Sequence, residues 1–294
     1  MTTSESTPRI VWLNGAFVAA EDARISVDDR GFLFGDGAYE VVRIVRGVMF
    51  EAERHLRRLE RTLAELGVEY RADGLREVGE RLLDDNRLRH GEATFYIEVT
   101  RGASWPRTHH FPPPGTPPTV YASIAPFVPF DELRRRGAAV ITVPDTRWAR
   151  CDLKTVNLIP NALTKQRAVE AKAAEAVFVR DGVVTEGASS NVVGVSKGVL
   201  RTHPATPAIL AGVTREVVLE IARERKLRVE EAPLRLAEVP ALDECFLCST
   251  TTDVMPVVAI DGKRVGDGEP GAVARLLHGA LRERLDAGVL AAPR

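Results

Sequence analysis

Lys154 stands in the run Arg147-Trp148-Ala149-Arg150-Cys151-Asp152-Leu153-Lys154-Thr155-Val156-Asn157-Leu158, in a chain that otherwise uses arginine almost everywhere for positive charge. The full sequence holds six lysines against 34 arginines. Of these two cations, only the lysine amine can lose its proton to serve as a nucleophile or base near neutral pH. The other five, Lys165, Lys172, Lys197, Lys226 and Lys263, fall on polar helix faces, beside turn glycines or at a helix end, where solvation accounts for them. Lys154 lies among apolar neighbours, and the plain alternative is a surface lysine whose head escapes past Leu153 and Val156 to water. To act as a base, its amine must fall from about 10.4 by roughly three units, through burial or through a Schiff base with an aldehyde.

The aldehyde route calls for pyridoxal phosphate, which needs a carboxylate at its pyridine nitrogen, a backbone-rich phosphate cup and a group for the substrate carboxylate. Glu186, in Val184-Thr185-Glu186-Gly187-Ala188-Ser189-Ser190-Asn191, follows a hairpin amid small residues that leave room for a flat ring. Residue type alone would make it a turn acid in water. Leu210-Ala211-Gly212-Val213-Thr214-Arg215 places a glycine and a hydroxyl at the start of an amphipathic helix, where free N–H groups and the helix dipole favour an anion. Ser249-Thr250-Thr251-Thr252 offers hydroxyls where the chain leaves a strand. Thr214 could equally be a plain N-cap, and the threonine run a simple strand end. Arg58 could add a cation, although Arg54, Arg57, Arg58 and Arg61 also read as a solvated helix face.

The elements that must position these groups form a mixed α+β pattern. Strands are expected at Val11–Val18, Tyr39–Val45 with a hairpin near Gly47, Ala93–Val99 and Thr119–Ile124, and helices over Leu56–Leu66 and Leu75–Leu88. Further strands are expected at 138–143, 176–180, 192–195, 199–202 and 244–249, with helices at 159–171, 214–225 and 270–285. At 294 residues the chain suits two domains. The Pro-rich stretch around Pro126-Phe127-Val128-Pro129 divides it into an N-terminal domain at 1–126, a linker at 127–131 and a C-terminal domain at 132–294 carrying the lysine.

Composition excludes several classes. A net charge of -1 gives no footprint for nucleic acid or an anionic membrane surface. The polar opening Met1–Pro8 does not resemble a secretory leader, no apolar run approaches a membrane span, and a cytoplasmic protein is expected. Three cysteines, Cys151, Cys245 and Cys248, make no disulfide framework, and Cys245 and Cys248 point to opposite faces of a buried strand without a second pair to complete a metal site.

At this point the residues resemble a known family, the class IV (fold type IV) pyridoxal phosphate aminotransferases, and within it the D-amino acid transaminases. The resemblance rests on Asp29-Arg30-Gly31-Phe32-Leu33-Phe34-Gly35-Asp36-Gly37-Ala38-Tyr39-Glu40-Val41-Val42, the Lys154 run, Thr185–Asn191, Thr202-His203-Pro204 with Ile209–Arg215, and Ser249-Thr250-Thr251, in family order across nearly the whole chain. It implies the two-domain branched-chain/D-amino acid aminotransferase-like fold and pyridoxal 5′-phosphate held by Lys154. It further implies Glu186 at the ring nitrogen, Arg58, Val213, Thr214 and Thr250 around the phosphate, Ser189 and Ser249 beside the cofactor, and Leu210 against the ring. In Trp105-Pro106-Arg107-Thr108-His109, Arg107 and His109 resemble the carboxylate trap of D-amino acid transaminases, completed by Tyr39; arginine suits a planar carboxylate. A homodimer with shared active sites is implied, as is ping-pong transfer of nitrogen from D-alanine or related D-amino acids to 2-oxoglutarate or pyruvate. Ala188 departs from the family pattern, where serine is usual. Branched-chain L-amino acid transaminase, (R)-amine transaminase and aminodeoxychorismate lyase share this scaffold, and a non-catalytic binding protein is the reading from another class.

Overall fold

A computed structural model describes residues 9–291, so the polar opening Met1–Pro8 lies outside the described residues. The chain divides into two units, one running to Val128 and taking in Lys154–Asn157, the other holding Pro129–Leu153 and Leu158–Ala291. The first unit contains β1 (Ile10–Leu13), β2 (Ala16–Ala19), α1 (Arg30–Phe34), β3 (Gly37–Val45), β4 (Val48–Met49), α2 (Ala52–Leu66), α3 (Leu75–Asp85), β5 (Glu92–Thr100) and β6 (Thr119–Pro126). The strands form an antiparallel sheet in the order β2-β1-β6-β5-β3-β4. Period-two alternation does the sorting: Ala93, Phe95, Ile97 and Val99 of β5 share a buried face with Ala38, Val42 and Ile44 of β3. Leu59 and Leu63 of α2 and Leu75, Leu82 and Leu83 of α3 pack in the same core, each such leucine contributing roughly 1.5–3 kcal/mol. Where one strand was expected over Val11–Val18, Asn14 and Gly15 take φ of 49° and 93° and split it into a hairpin, the Asn-Gly turn whose twist matches the flanking strands.

The second unit contains α4 (Asp131–Arg136), β7 (Ala138–Pro144), α5 (Ile159–Glu170), β8 (Glu175–Arg180), β9 (Val183–Gly187), β10 (Asn191–Ser196), β11 (Val199–Thr202), α6 (Val213–Glu224), β12 (Arg228–Glu231), β13 (Leu234–Arg235), β14 (Glu244–Ser249), β15 (Asp253–Ile260), β16 (Lys263–Arg264) and α7 (Ala272–Ala291). Strands β10, β14, β15, β7, β8 and β9 follow one another, and the Asn191–Glu186 pairing joins β9 back to β10, closing a ring. Val140, Val177, Val192, Leu247, Met255 and Val257 share its core. Strand β15 escapes a sequence reading because Pro256 argues against a central strand. Pro256 nevertheless sits opposite Phe246 of β14, and the parallel pairing with β7 begins only at Val257.

The lysine run departs from the expected domain division, since Lys154–Asn157 packs with the first unit. Hydrogen bonds explain this. Tyr39 N–H donates to Lys154 O at 3.0 Å and Val156 N–H to Gly37 O at 3.1 Å, around a bridge between Ala38 and Thr155. Such a seam satisfies backbone groups that linear order does not reveal. Among the described residues no helix is long and apolar enough to cross a membrane, and no His, Cys, Asp and Glu group could hold a metal ion. The three cysteines are free and buried, and burial pushes the Cys245 and Cys248 thiols up to about 12.

One residue breaks the apolar face of β3. Glu40, fully buried between Ala38 and Val42, meets Arg58 Nε at 2.7 Å, Arg58 Nη2 at 2.9 Å and His55 Nδ1 at 2.8 Å, both partners projecting from α2. Burial raises this carboxyl, but Arg58 and His55 outweigh it and hold it down at about 2, against an ordinary 4.5. A depressed acid stabilises the fold above its unfolded value and loses that contribution as pH falls through its folded value. Roughly 3 kcal/mol should therefore vanish between about pH 4.5 and 2. Urea unfolding of Glu40→Gln should show a clear deficit at pH 6 that shrinks towards wild type at pH 2.5; a constant deficit would dissociate Glu40 from the acid sensitivity.

Candidate active site

Lys154 is presented from its backbone seam on β3, with its Nζ 4.2 Å from the centre of the Tyr39 ring. Its own N–H reaches Thr62 Oγ1 of α2 at 3.4 Å, so both sheet and helix fix the start of the side chain. The amine lies close enough to His55 that its charge, after burial and beside Arg58, helps to hold the imidazole below its ordinary value. His55 is accordingly neutral at pH 7. Because ionised Glu40 can only accept, the ring proton sits on His55 Nδ1. Arg58, expected near a phosphate, gives two donor groups to Glu40 and stands in the same cluster as the lysine. Tyr39, Arg58 and Lys154 are thus brought together within the first unit.

In the second unit, Glu186 occupies the closing position of the strand ring and is 5% exposed. Arg147 Nη1 donates to Glu186 Oε1 at 2.5 Å, while Asn191 Nδ2 and Leu210 N–H reach Oε2 at 3.2 and 3.0 Å. Burial pushes the Glu186 carboxyl up to about 7, against the opposing pull of Arg147 and the Leu210 N–H. Arg147 is shared: its Nε and Nη2 contact Asp145 at 2.9 Å each. Burial raises Asp145, but Arg147 and Arg180 bring it below the ordinary carboxylate range. The result is a carboxylate on a fixed platform, with one arginine divided between two acids.

The phosphate pieces also belong to this unit. Helix α6 starts behind Gly212 with no side-chain cap, leaving first-turn N–H groups without intrahelical acceptors at buried Val213 and Thr214. A Cβ at Gly212 would come 2.2 Å from Asn191 Oδ1, so glycine is required if Asn191 is to reach Leu210 O at 2.9 Å. Ser249 and Thr250 end β14 in a turn where Ser249 Oγ lies 2.8 Å from Thr252 Oγ1. Arg134 of α4 braces that turn by donating to Thr252 O and Val254 O, each at 3.2 Å. Ser189, expected beside the cofactor, is exposed and donates its hydroxyl to Glu175 at 2.8 Å.

The segment carrying Arg107 and His109 is exposed but braced. Arg30 donates to Thr108 O at 2.8 Å, His110 O at 3.2 Å and His109 O at 3.4 Å, with its Nε on Asp36 at 2.8 Å. Phe34 packs against the His109 ring and under the Arg107 guanidinium, 4.3 Å from its centre. Asp36 also receives Arg101, which caps the end of α2 through Leu66 O and Gly67 O.

Sequence reasoning did not single out Glu40, His55, Asp145, Arg147, Asn191, Arg30 or Arg134. Arg147 and Asn191 carry a faint signal, since each opens or closes a motif run already singled out. Glu40, His55, Arg30 and Arg134 act largely through contacts distant in sequence, and Asp145 through both Arg147 beside it and Arg180.

By chemical type each unit's groups suit pyridoxal phosphate: the first offers an aromatic-backed lysine, the second a buried carboxylate able to face a protonated ring nitrogen and a helix N-terminus suited to an anion. Residues 37–260 match the Amino-transferase class IV family. The D-alanine aminotransferase of Staphylococcus epidermidis is 42% identical over 91% of this chain and 95% of that protein. The Bacillus licheniformis D-alanine aminotransferase is 39% identical over 94% and 96%. Among solved structures, the T.th. branched-chain amino acid aminotransferase with pyridoxamine 5′-phosphate is similar at a TM-score of 0.85 and 26% identity, covering 96% of this chain and 95% of that one. With the family match spanning more than half of its length and relatives about 40% identical over nearly the whole chain, the chain belongs to the class IV aminotransferases, enzymes that work with pyridoxal 5′-phosphate.

Proposed function

We propose that the chain is a D-amino acid transaminase, moving the amino group of D-alanine or a related D-amino acid to a 2-oxo acid such as pyruvate or 2-oxoglutarate in a ping-pong cycle. The observation that carries the reading is the braced Arg107–His109 segment, which offers a guanidinium and an imidazole to a substrate carboxylate. The curated relatives named D-alanine aminotransferase support it. A branched-chain L-amino acid is the second reading, favoured by the names of the similar solved structures.

In this proposal Lys154 Nζ takes the proton at the substrate α-carbon, the step that general base catalysis accelerates. When bound, pyridoxal phosphate supplies a ring that delocalises the electrons left on that carbon. Glu186 holds the ring nitrogen, Leu210 supports the ring, and Arg58, Val213, Thr214 and Thr250 hold the phosphate, with Ser249 and Ser189 beside them. Tyr39, Arg107 and His109 fix the carboxylate. A cytoplasmic homodimer completes the proposal, with the Arg107–His109 segment serving a neighbouring subunit. Large apolar side chains around that segment support this: Val27, Phe32 and Trp105 are 73%, 75% and 79% exposed, on two segments joined by backbone hydrogen bonds between residues 28–30 and 102–104.

The test is to mix holoenzyme with D-alanine, L-leucine or an (R)-arylamine and follow the absorbance of the bound cofactor through the first half-reaction. D-alanine should react fastest; reaction of L-leucine alone would overturn the substrate assignment. Arg107→Ala should raise the KM for D-alanine by about 10- to 100-fold, the loss of a charged hydrogen-bonded contact, and leave the arylamine much less affected. Lys154→Ala should lower the rate of α-proton removal by about 100-fold or more, read as loss of deuterium exchange at the D-alanine α-carbon. Arg30 acts as a positioning residue for the trap. Arg30→Ala should raise the KM for D-alanine by about tenfold with a smaller change in kcat, because the carbonyls of residues 108–110 lose their brace. A fall in kcat at constant KM would assign Arg30 a different role.

A further inference from the structure

The face of the first sheet turned away from α2 and α3 carries an aromatic wall of which the catalytic reading uses only Tyr39. Tyr39, Tyr96 and Tyr121 stand on adjacent strands β3, β5 and β6, with ring centres 5.8 Å apart from Tyr39 to Tyr96 and 6.2 Å from Tyr96 to Tyr121. One carboxylate lies in this wall. Glu98 pairs in register with Tyr39 on one side and Tyr121 on the other, and it accepts a hydrogen bond of 2.6 Å from the Tyr96 hydroxyl. Its alternating neighbours Ile97 and Val99 point into the helix-covered core, so Glu98 must face the wall.

The wall reaches the amine. Lys154 Nζ rests over the Tyr39 ring, so a substrate α-carbon within proton-transfer reach of that amine lies beside the same face. A neutral side chain finds aromatic surface there, and a cation finds both aromatic faces and a carboxylate. A second carboxylate meets like charge. Holding the Tyr96 hydroxyl does not require this charge, since a glutamine oxygen would accept the same hydrogen bond. The charge is a surplus over the structural need.

We propose that Glu98 is a specificity-determining residue, selecting amino and oxo acids with neutral or cationic side chains over those bearing a second carboxylate. The inference rests on the D-amino acid transaminase reading and narrows it: D-alanine and D-ornithine are preferred donors over D-glutamate and D-aspartate, and pyruvate is preferred over 2-oxoglutarate. A like charge facing the same wall, in a half-exposed site of effective dielectric near 20 and partly screened by salt, corresponds to discrimination of about tenfold.

The test uses holoenzyme of the wild type, Glu98→Gln and Tyr96→Phe, with first half-reactions on D-alanine, D-glutamate and D-ornithine followed by cofactor absorbance. Glu98→Gln should raise the kcat/KM ratio of D-glutamate to D-alanine by about tenfold and lower that of D-ornithine to D-alanine. Tyr96→Phe keeps the charge and removes the hydrogen bond. Ratios unmoved by Glu98→Gln, or moved equally by both variants, overturn the proposal. Should the wild type react with L- and not D-amino acids, the transaminase reading fails separately, and the ratio of L-glutamate to L-leucine in the same variants still decides the role of Glu98.

Discussion

The two hydrogen bonds that join Lys154 and Val156 to strand β3 are the constraint on which the first unit's chemistry depends. They place a flexible side chain at a fixed origin, directly over the ring of Tyr39. The same strand then sends Glu40 to its opposite face, where Arg58 and His55 meet it. Strand geometry makes the two arrangements inseparable, because consecutive residues must point to opposite sides. Moving the register by one residue would bury Tyr39 and expose Glu40, losing both the lysine's support and the ion pair that ties α2 to the sheet. A single strand therefore carries reactivity on one face and fold stability on the other.

The arginine-rich composition has its explanation in how these parts are braced. Arg30 and Arg134 hold loops by donating to backbone carbonyls, Arg101 caps a helix end, and Arg147 spans two carboxylates. A rigid fork with five donors can serve several acceptors at once and stays charged when buried. An ammonium would lose its proton more readily in such places and could not span the same acceptors. Lys154 is the exception among these braces, and it is the amine that the proposed proton transfer uses.

Much of this arrangement was legible in the sequence, for reasons that differ by element. Helix α2 and strand β5 declare themselves because one uniform apolar face selects a period of 3.6 or 2, and Gly67 with φ of 67° marks a helix stop. Lys154 stands out by residue type and Gly212 by its place before a helix. The hairpin at Asn14 and the strand through Pro256 were not read: the first turn is hidden inside an apolar run, and Pro256 lies before the pairing that would have required its missing N–H. The contacts of Glu40, Arg30 and Arg147 were hidden for another reason. Their meaning lies in partners 18, 78 and 39 residues away, and no local pattern distinguishes a buried arginine from a solvated one.

The division of Arg147 between Asp145 and Glu186 explains how the second unit keeps its carboxylate responsive. A whole guanidinium devoted to Glu186 would hold that acid strongly ionised. Asp145, fully covered and kept charged by Arg147 and Arg180, takes two of the arginine's contacts and leaves Glu186 with one nitrogen and two weaker neutral donors. Burial then prevails and Glu186 rises to about 7. In the proposed site a cationic ring nitrogen beside Glu186 would add to the counter-charge from Arg147, and each would stabilise the charged form of the other. Because that coupling is reciprocal, whatever makes Glu186 reluctant to ionise alone strengthens its preference for a protonated partner. An acid held lower by a dedicated arginine would keep its charge regardless of the ring and discriminate its protonation state less.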